Sequence, residues 1–288
     1  MDERSKTLAR RFKAQELFRN LIPVLGLLLL IMVFQSISGK LFKIGNIKSI
    51  MNQAYTIIIV ALGGTFVYAH GGMDISYGGV IGLSMLCSTL IANQTNNPYV
   101  ALAVCIAVAC ALSLMNAVFS IYLKVSPLIV SLCLMYMCRG VLNVICSSNK
   151  FSVPDVMLPF DEWTVKIPVL IAVIVIAVIL FEKTSIGKSS KAIGGNMVAA
   201  RQAGIHVERI RLYCYLISGV CVGIAGFFQL SRAGSVSTST GQGLEMNVIT
   251  ALVQGGISLS GGSRVRILRA VLGGITVIVL RFRLNIIR

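Results

Sequence analysis

Acidic residues are scarce in this chain. Only 10 Asp and Glu stand among 288 residues, and charged residues of both signs make up 12%, against about a quarter in soluble domains. With 56% hydrophobic residues and a mean hydropathy of +0.85, that deficit excludes water as the solvent for most of the surface. Histidine is nearly missing. His70 and His206 are the only two, they lie far apart, and neither has the ligand spacing a zinc site needs. Neither has an acidic and a nucleophilic partner at a motif spacing, so an enzyme is not expected. CxxC spacing is absent among Cys87, Cys105, Cys110, Cys133, Cys138, Cys146, Cys214 and Cys221. Nearly all of them lie in apolar stretches, where cysteine serves as a small packing residue. No ten-residue dyad alternation occurs, which excludes a membrane β-barrel.

Basic charge, by contrast, is plentiful: 26 Lys and Arg give a formal net charge of +16. No basic stripe with interleaved aromatics appears, so nucleic acid is not an expected partner. The basic residues gather at the ends of apolar runs, as cytoplasmic loops of membrane proteins do. Those runs lie near 20–38, 50–69, 75–92, 98–122, 126–147, 166–181, 211–230, 245–262 and 265–280, each about the length that crosses a bilayer. Lipid cannot satisfy an exposed backbone, so such runs must be helical. The expected fold is all-α, a polytopic transmembrane helix bundle of about nine spans in contact with membrane lipid. Residues 1–19 form a basic tail and 20–288 a single transmembrane domain. The first run is preceded by Arg4, Lys6, Arg10, Arg11, Lys13 and Arg19. It is too long for a signal peptide and lacks a small-x-small cleavage site, which predicts an uncleaved first span.

Orientation follows from the loops. The tail carries six basic residues, and 182–211 carries Lys183, Lys188, Lys191, Arg201, Arg209 and Arg211. Both belong in the cytoplasm, and the even number of runs between them agrees. Segment 149–166, with Asp155, Asp161, Glu162 and Trp163, then falls outside. Lys40, Lys43 and Lys48 fall outside by the same count, against the charge rule.

Loop 182–211 contains Ile186-Gly187-Lys188-Ser189, which looks like the end of a phosphate-binding P-loop. Glu182 stands where the opening glycine is required, and an apolar run rather than a strand precedes it. Amides cannot wrap a triphosphate there, and no ATP binding by this chain is expected. The second half of the loop permits a short surface helix after a flexible Gly194-Gly195 pair. Such a helix suits docking, while a solvated connector is the plainer alternative.

Within the membrane, Asp74 sits in HGGMDISYGGVIGLS, a glycine-loosened break between the second and third runs. An Asp two residues before Ser76 suits a helix cap, accepting from orphan amides; the alternative is that Gly71, Gly72, Asp74 and Ser76 line a translocation path. Asn52, Asn116, Asn143 and Asn247 are polar residues inside apolar runs, suited to interhelical hydrogen bonds or to a pore. Glu245 opens the eighth run and Arg139 lies late in the fifth, where either can mark a membrane boundary.

HGGMDISYGGVIGLS resembles the G-G-x-D-I/L-S-x-G signature of permeases of the ribose, galactose and xylose group of ABC sugar importers. Residues 192–262, AIGGNMVAARQAGIHVERIRLYCYLISGVCVGIAGFFQLSRAGSVSTSTGQGLEMNVITALVQGGISLSGG, are similar to the same family without a visible gap. The resemblance implies a bacterial inner-membrane permease that pairs with a second permease subunit and sits on two ABC ATPase subunits. An extracytoplasmic sugar-binding protein delivers the solute, and ATP-Mg binds the ATPase rather than this chain, which is expected to hold no cofactor. It further implies a coupling helix over 192–205, with Ala192, Gly194, Gly195, Asn196, Ala199, Ala200, Gly204 and Ile205 as motif positions and Lys188 and Lys191 ahead of them. Asp74, Asn116, Glu245 and Asn247 are the matching candidates for the path. Related permeases carry branched-chain amino acids or other small solutes, and that reading stays open. The sequence departs from the pattern at its end, where Arg264, Arg266 and Arg269 stand in place of small residues. A C-terminally truncated, non-transporting remnant is the third alternative.

Overall fold

The structure, a computed structural model, describes residues 44–149, 151–262 and 265–286. The basic tail and the first apolar run lie outside the described residues. Ten helices are described: α1 (Ile44–Ala69), α2 (Tyr77–Thr95), α3 (Pro98–Tyr122), α4 (Pro127–Cys146), α5 (Trp163–Val178), α6 (Ser185–Gly195), α7 (Met197–Gln202), α8 (Val207–Ala233), α9 (Leu244–Gln254) and α10 (Leu268–Ile286). Among the described residues, five stretches are long and apolar enough to cross a membrane: Lys48–Ala69, Pro98–Tyr122, Pro127–Cys146, Trp163–Lys183 and Val207–Ala233. The chain is an all-α, multi-pass membrane protein.

Short connections make α2, α3 and α4 sequential neighbours. The Asn97 side chain accepts from the amides of Tyr99 and Val100 at 3.0 and 3.4 Å, and Pro98 opens α3, satisfying amides that lipid cannot. The most extensive packing joins α3 to α8. A Cβ added to Gly219 would stand 2.8 Å from the Cα of Cys110, and one added to Gly223 2.5 Å from that of Ile106, so small residues set the backbone separation. Cys105, Cys138, Cys214 and Cys221 are buried in this core, the packing role read for them from the sequence.

Two short strands, β1 (Phe151–Ser152) and β2 (Ser235–Val236), pair antiparallel, with Phe151 opposite Val236. They mark one end of the bundle, the strand end, and the helices α6 and α7 mark the opposite end. A 3-10 turn, Asp155–Asp161, closes the strand end by an edge-to-face aromatic chain from Phe160 through Phe227 and Phe228 to Tyr55, with centroids 5.3–5.5 Å apart.

One expected span is corrected. The run 245–262 forms a helix only over Leu244–Gln254, 11 residues or about 16 Å at 1.5 Å per residue. Gly255 ends it, and Gly256, Gly261 and Gly262 take positive φ, so the run turns back within the bundle. Hydropathy counts those glycines as neutral and misses the turn.

Candidate functional site

The predicted break between the second and third runs is real. α1 ends in a Schellman arrangement in which Gly71, at φ 82°, donates to the Tyr68 carbonyl and Gly72 to that of Val67, each at 3.1 Å; glycine meets the left-handed requirement without strain. Asp74 is fully buried, and its Oδ1 accepts from the Ser76 amide at 2.8 Å and the Ser76 hydroxyl at 2.6 Å. The carboxylate therefore fixes the turn into α2 rather than capping amides inside the helix. Tyr68 donates to the Asp74 carbonyl at 3.0 Å. Asn116 of α3 lies beside the Asp74 carboxylate but completes no hydrogen bond of good geometry.

Two segments, α6 and the turn after α9, converge on the Ala69 carbonyl, the last of α1. Gly262 donates to it at 3.2 Å, and Cβ atoms added at Gly194 or Gly261 would stand 2.0 and 3.0 Å from it. No side chain fits at that crossing. One turn earlier Ser190 of α6 donates to the Phe66 carbonyl at 3.1 Å, and Phe66 meets Phe181 edge-on at 5.1 Å. Loop 182–211 is thereby fastened to α1 just before the break.

That loop differs from the sequence expectation of one helix after a flexible glycine pair. It contains two helices, and Gly194 belongs to the last turn of α6, pressed against α1. Asn196 separates them, accepting from Val198 and Ala199 amides at 3.0 Å and so capping α7. Gly187, the glycine of the P-loop look-alike, lets α6 fold back on a π-turn, Ile179–Lys183, since its Cβ would stand 1.9 Å from the Phe181 carbonyl. Lys191 pairs with Glu182 at 2.6 Å over the Phe181 ring. Lys188, Ala192, Gly195, Ala199 and Gly204 are exposed, with Gly204 at φ 82°. Ala200 and Ile205 turn inward on Ile193 and Val207. Met197 and Val198 stand 40% and 67% exposed on the tip; neither was among the coupling positions expected from the sequence.

Toward the strand end a cavity of about 380 Å³ is lined by α1, α8, the connection 235–243 and α9, including Gln53, Gln229, Arg232, Gln242 and Asn247. Of these, only Asn247 was singled out from the sequence. Alongside it, Arg139 of α4 pairs with Glu245 at 3.3 Å and donates to the Gly241 carbonyl at 3.2 Å, while Glu245 accepts from the Gly243 amide at 3.3 Å. Both side chains lie between the helices, 16% and 10% exposed. Lys166, buried at the start of α5, pairs with Asp161 and donates to Asn52 at 2.9 Å. No sequence pattern announced it.

Comparisons with known proteins accord with this architecture. The chain is 29% identical to the ribose import permease protein of Escherichia coli (strain K12), over 92% of this chain and 85% of that one. It is 29% identical to that of Bacillus subtilis (strain 168), over 99% and 91%, and to the galactofuranose transporter permease protein of Escherichia coli (strain K12), over 89% and 80%. No solved structure matches it significantly. The family model described as branched-chain amino acid transport system / permease component matches residues 46–284, and the chain belongs to that family.

Proposed function

We propose that the chain is the membrane-spanning permease subunit of a bacterial ABC importer, forming the path for a simple sugar while a separate ATPase supplies the energy. The relatives named for ribose and galactofuranose favour a sugar over the branched-chain amino acid of the family description. In this reading the N-terminus and loop 182–211 are cytoplasmic and the strand end receives solute from a binding protein. The partners are a second permease subunit and ABC ATPase subunits, which hold ATP-Mg.

The observation that carries the coupling half of the reading is the junction at Ala69. α7 presents Met197 and Val198 to a partner, α6 is bonded to α1 through Ser190 and Phe66, and the other half of α1 brings Gln53 and Thr56 to the cavity. In this reading α1, one continuous helix over Ile44–Ala69, links the docking loop to the cavity. The test is reconstitution in proteoliposomes with the cognate ATPase and binding protein. ATP-dependent sugar uptake supports the reading, and a correctly assembled complex that moves no sugar overturns it.

A further inference from the structure

We propose that the buried polar cluster around Asp74 is a binding site for an alkali-metal cation, which ties the break between α1 and α2 to α3 and α8. The cluster shares no residue with the strand-end cavity, and the inference goes beyond the permease reading without depending on it.

Five buried side chains from four parts of the chain meet there. Asp74 sits in the break, Tyr77 opens α2, Asn116 belongs to α3, and Tyr215 and Ser218 belong to α8, each at most 1% exposed. The Tyr77 hydroxyl reaches α1 at Gly64, where an added Cβ would stand 3.1 Å from it, and one added to Gly63 would stand 3.0 Å from the Ser218 Cα. The hydroxyls of Tyr77, Tyr215 and Ser218 and both amide atoms of Asn116 have no hydrogen-bond partner among the described residues. Yet these groups are neighbours: Asn116 lies beside Asp74, Ser218 beside Tyr77, and both tyrosines near the Asp74 carboxylate. Buried polar atoms are rarely left unpaired, so groups that face one another without bonding point to a guest between them.

Charge decides what that guest is. Asp74 Oδ1 accepts from the Ser76 hydroxyl at 2.6 Å, within the range of a bond to an ionised carboxylate. Among the described residues no lysine or arginine forms an ion pair with Asp74; Arg211 of α8 lies instead near His70 and Tyr215, whose rings are 5.9 Å apart. A buried carboxylate without a counter-charge is strongly disfavoured. Water would satisfy the hydroxyls and leave that charge unbalanced. One monovalent cation balances one carboxylate, and carboxylate, amide and hydroxyl oxygens are the ligands that hard cations take. With a single carboxylate present, a divalent ion would carry excess charge into the bundle.

The experiment uses the full chain in lipid nanodiscs, without ATPase or binding protein, and follows thermal unfolding in sodium, potassium or choline chloride at equal ionic strength. Sodium or potassium is expected to raise the midpoint with a saturating dependence on concentration while choline does not, because an ion that binds only the folded chain stabilises it by mass action. Asp74→Asn keeps the shape, removes the charge and is expected to abolish the response. Tyr77→Phe and Tyr215→Phe each remove one oxygen and keep the ring. They are expected to weaken the apparent cation affinity by about tenfold and to leave the midpoint in choline unchanged or higher, so a folding defect is told apart from a lost ligand. Equal midpoints in all three salts, or a cation response that survives Asp74→Asn, overturn the inference. A midpoint that follows pH and ignores the cation also overturns it, since a proton on Asp74 then balances the charge. Sugar uptake by the assembled complex is a separate readout, and the permease reading stands or falls on that alone.

Discussion

Arg139 and Glu245 meet at 3.3 Å across α4 and α9, with Gly78 of α2 directly beneath them: a Cβ there would stand 1.9 Å from Glu245 Oε2. The pair also grips the backbone at Gly241 and Gly243, so it positions the connection whose next residues, Gln242 and Asn247, line the cavity. Glycine at 78 is the space that lets three elements share one ion pair.

Removing one partner leaves the other charge in an apolar bundle, which costs about 3–5 kcal/mol in buried pairs. Arg139→Gln and Glu245→Gln are each expected to lower the thermal unfolding midpoint in detergent and to abolish most uptake. The double variant is expected to be no less stable than the worse single. Additive losses in this cycle would show that the two side chains act separately.

At the opposite end, Gly194→Leu drives a side chain into the Ala69 carbonyl, 2.0 Å from where its Cβ must sit. The expected outcome is that α6 leaves α1 while the other helices hold. ATP hydrolysis then no longer drives uptake, and co-purification with the ATPase is weakened. Gly195→Leu meets nothing within 4 Å, so it tests the docking surface alone: an effect on ATPase capture without loss of the α6–α1 contact places the partner on the exposed face.

Why the sequence disclosed the bundle and not the cavity is a matter of range. Long apolar runs dictate helices because lipid leaves the backbone no alternative, so α3, α4, α5 and α8 were legible. The Asp74 break was legible from its flanking glycines, and the polar loop 182–211 from its charge. The turn after Gln254 was not, because hydropathy averages over glycine. α6 was missed because Ser, Gly and Lys dominate it, and it gains its helix by packing Ser190 and Gly194 on α1. Gln53, Gln229 and Gln242 are brought together only by tertiary packing, and no spacing along the chain relates them.

Packing of α3 on α8 gives a third prediction. Gly219 and Gly223 place the α8 backbone against Cys110 and Ile106, so Gly223→Leu must force the helices apart. Overpacking of this kind costs about 1–3 kcal/mol, and the unfolding midpoint is expected to fall. Gly140, with nothing within 4 Å, is the matched control: Gly140→Leu is expected to leave the midpoint unchanged or raise it, since leucine is the better helix former by about 1 kcal/mol.

Lys166 and Asp161 are unequal partners: the lysine side chain is 2% exposed and the aspartate 40%. The lysine ammonium is also held by Asn52 and lies 5.4 Å from the Trp163 ring centroid and 5.9 Å from that of Tyr55. Because the aspartate remains hydrated when its partner is lost, Lys166→Met removes a buried charge and leaves an acid that water can still solvate. Asp161→Ala does the reverse, stranding an ammonium among aromatic rings with Asn52 alone to meet it. Removing the exposed partner is therefore expected to destabilise more than removing the buried one, by about 1–3 kcal/mol, since an uncompensated buried charge is the dominant cost. Thermal unfolding of the two variants in the same detergent measures the difference. A larger loss in Lys166→Met would mean that the cation and its ring contacts contribute more than its desolvation costs.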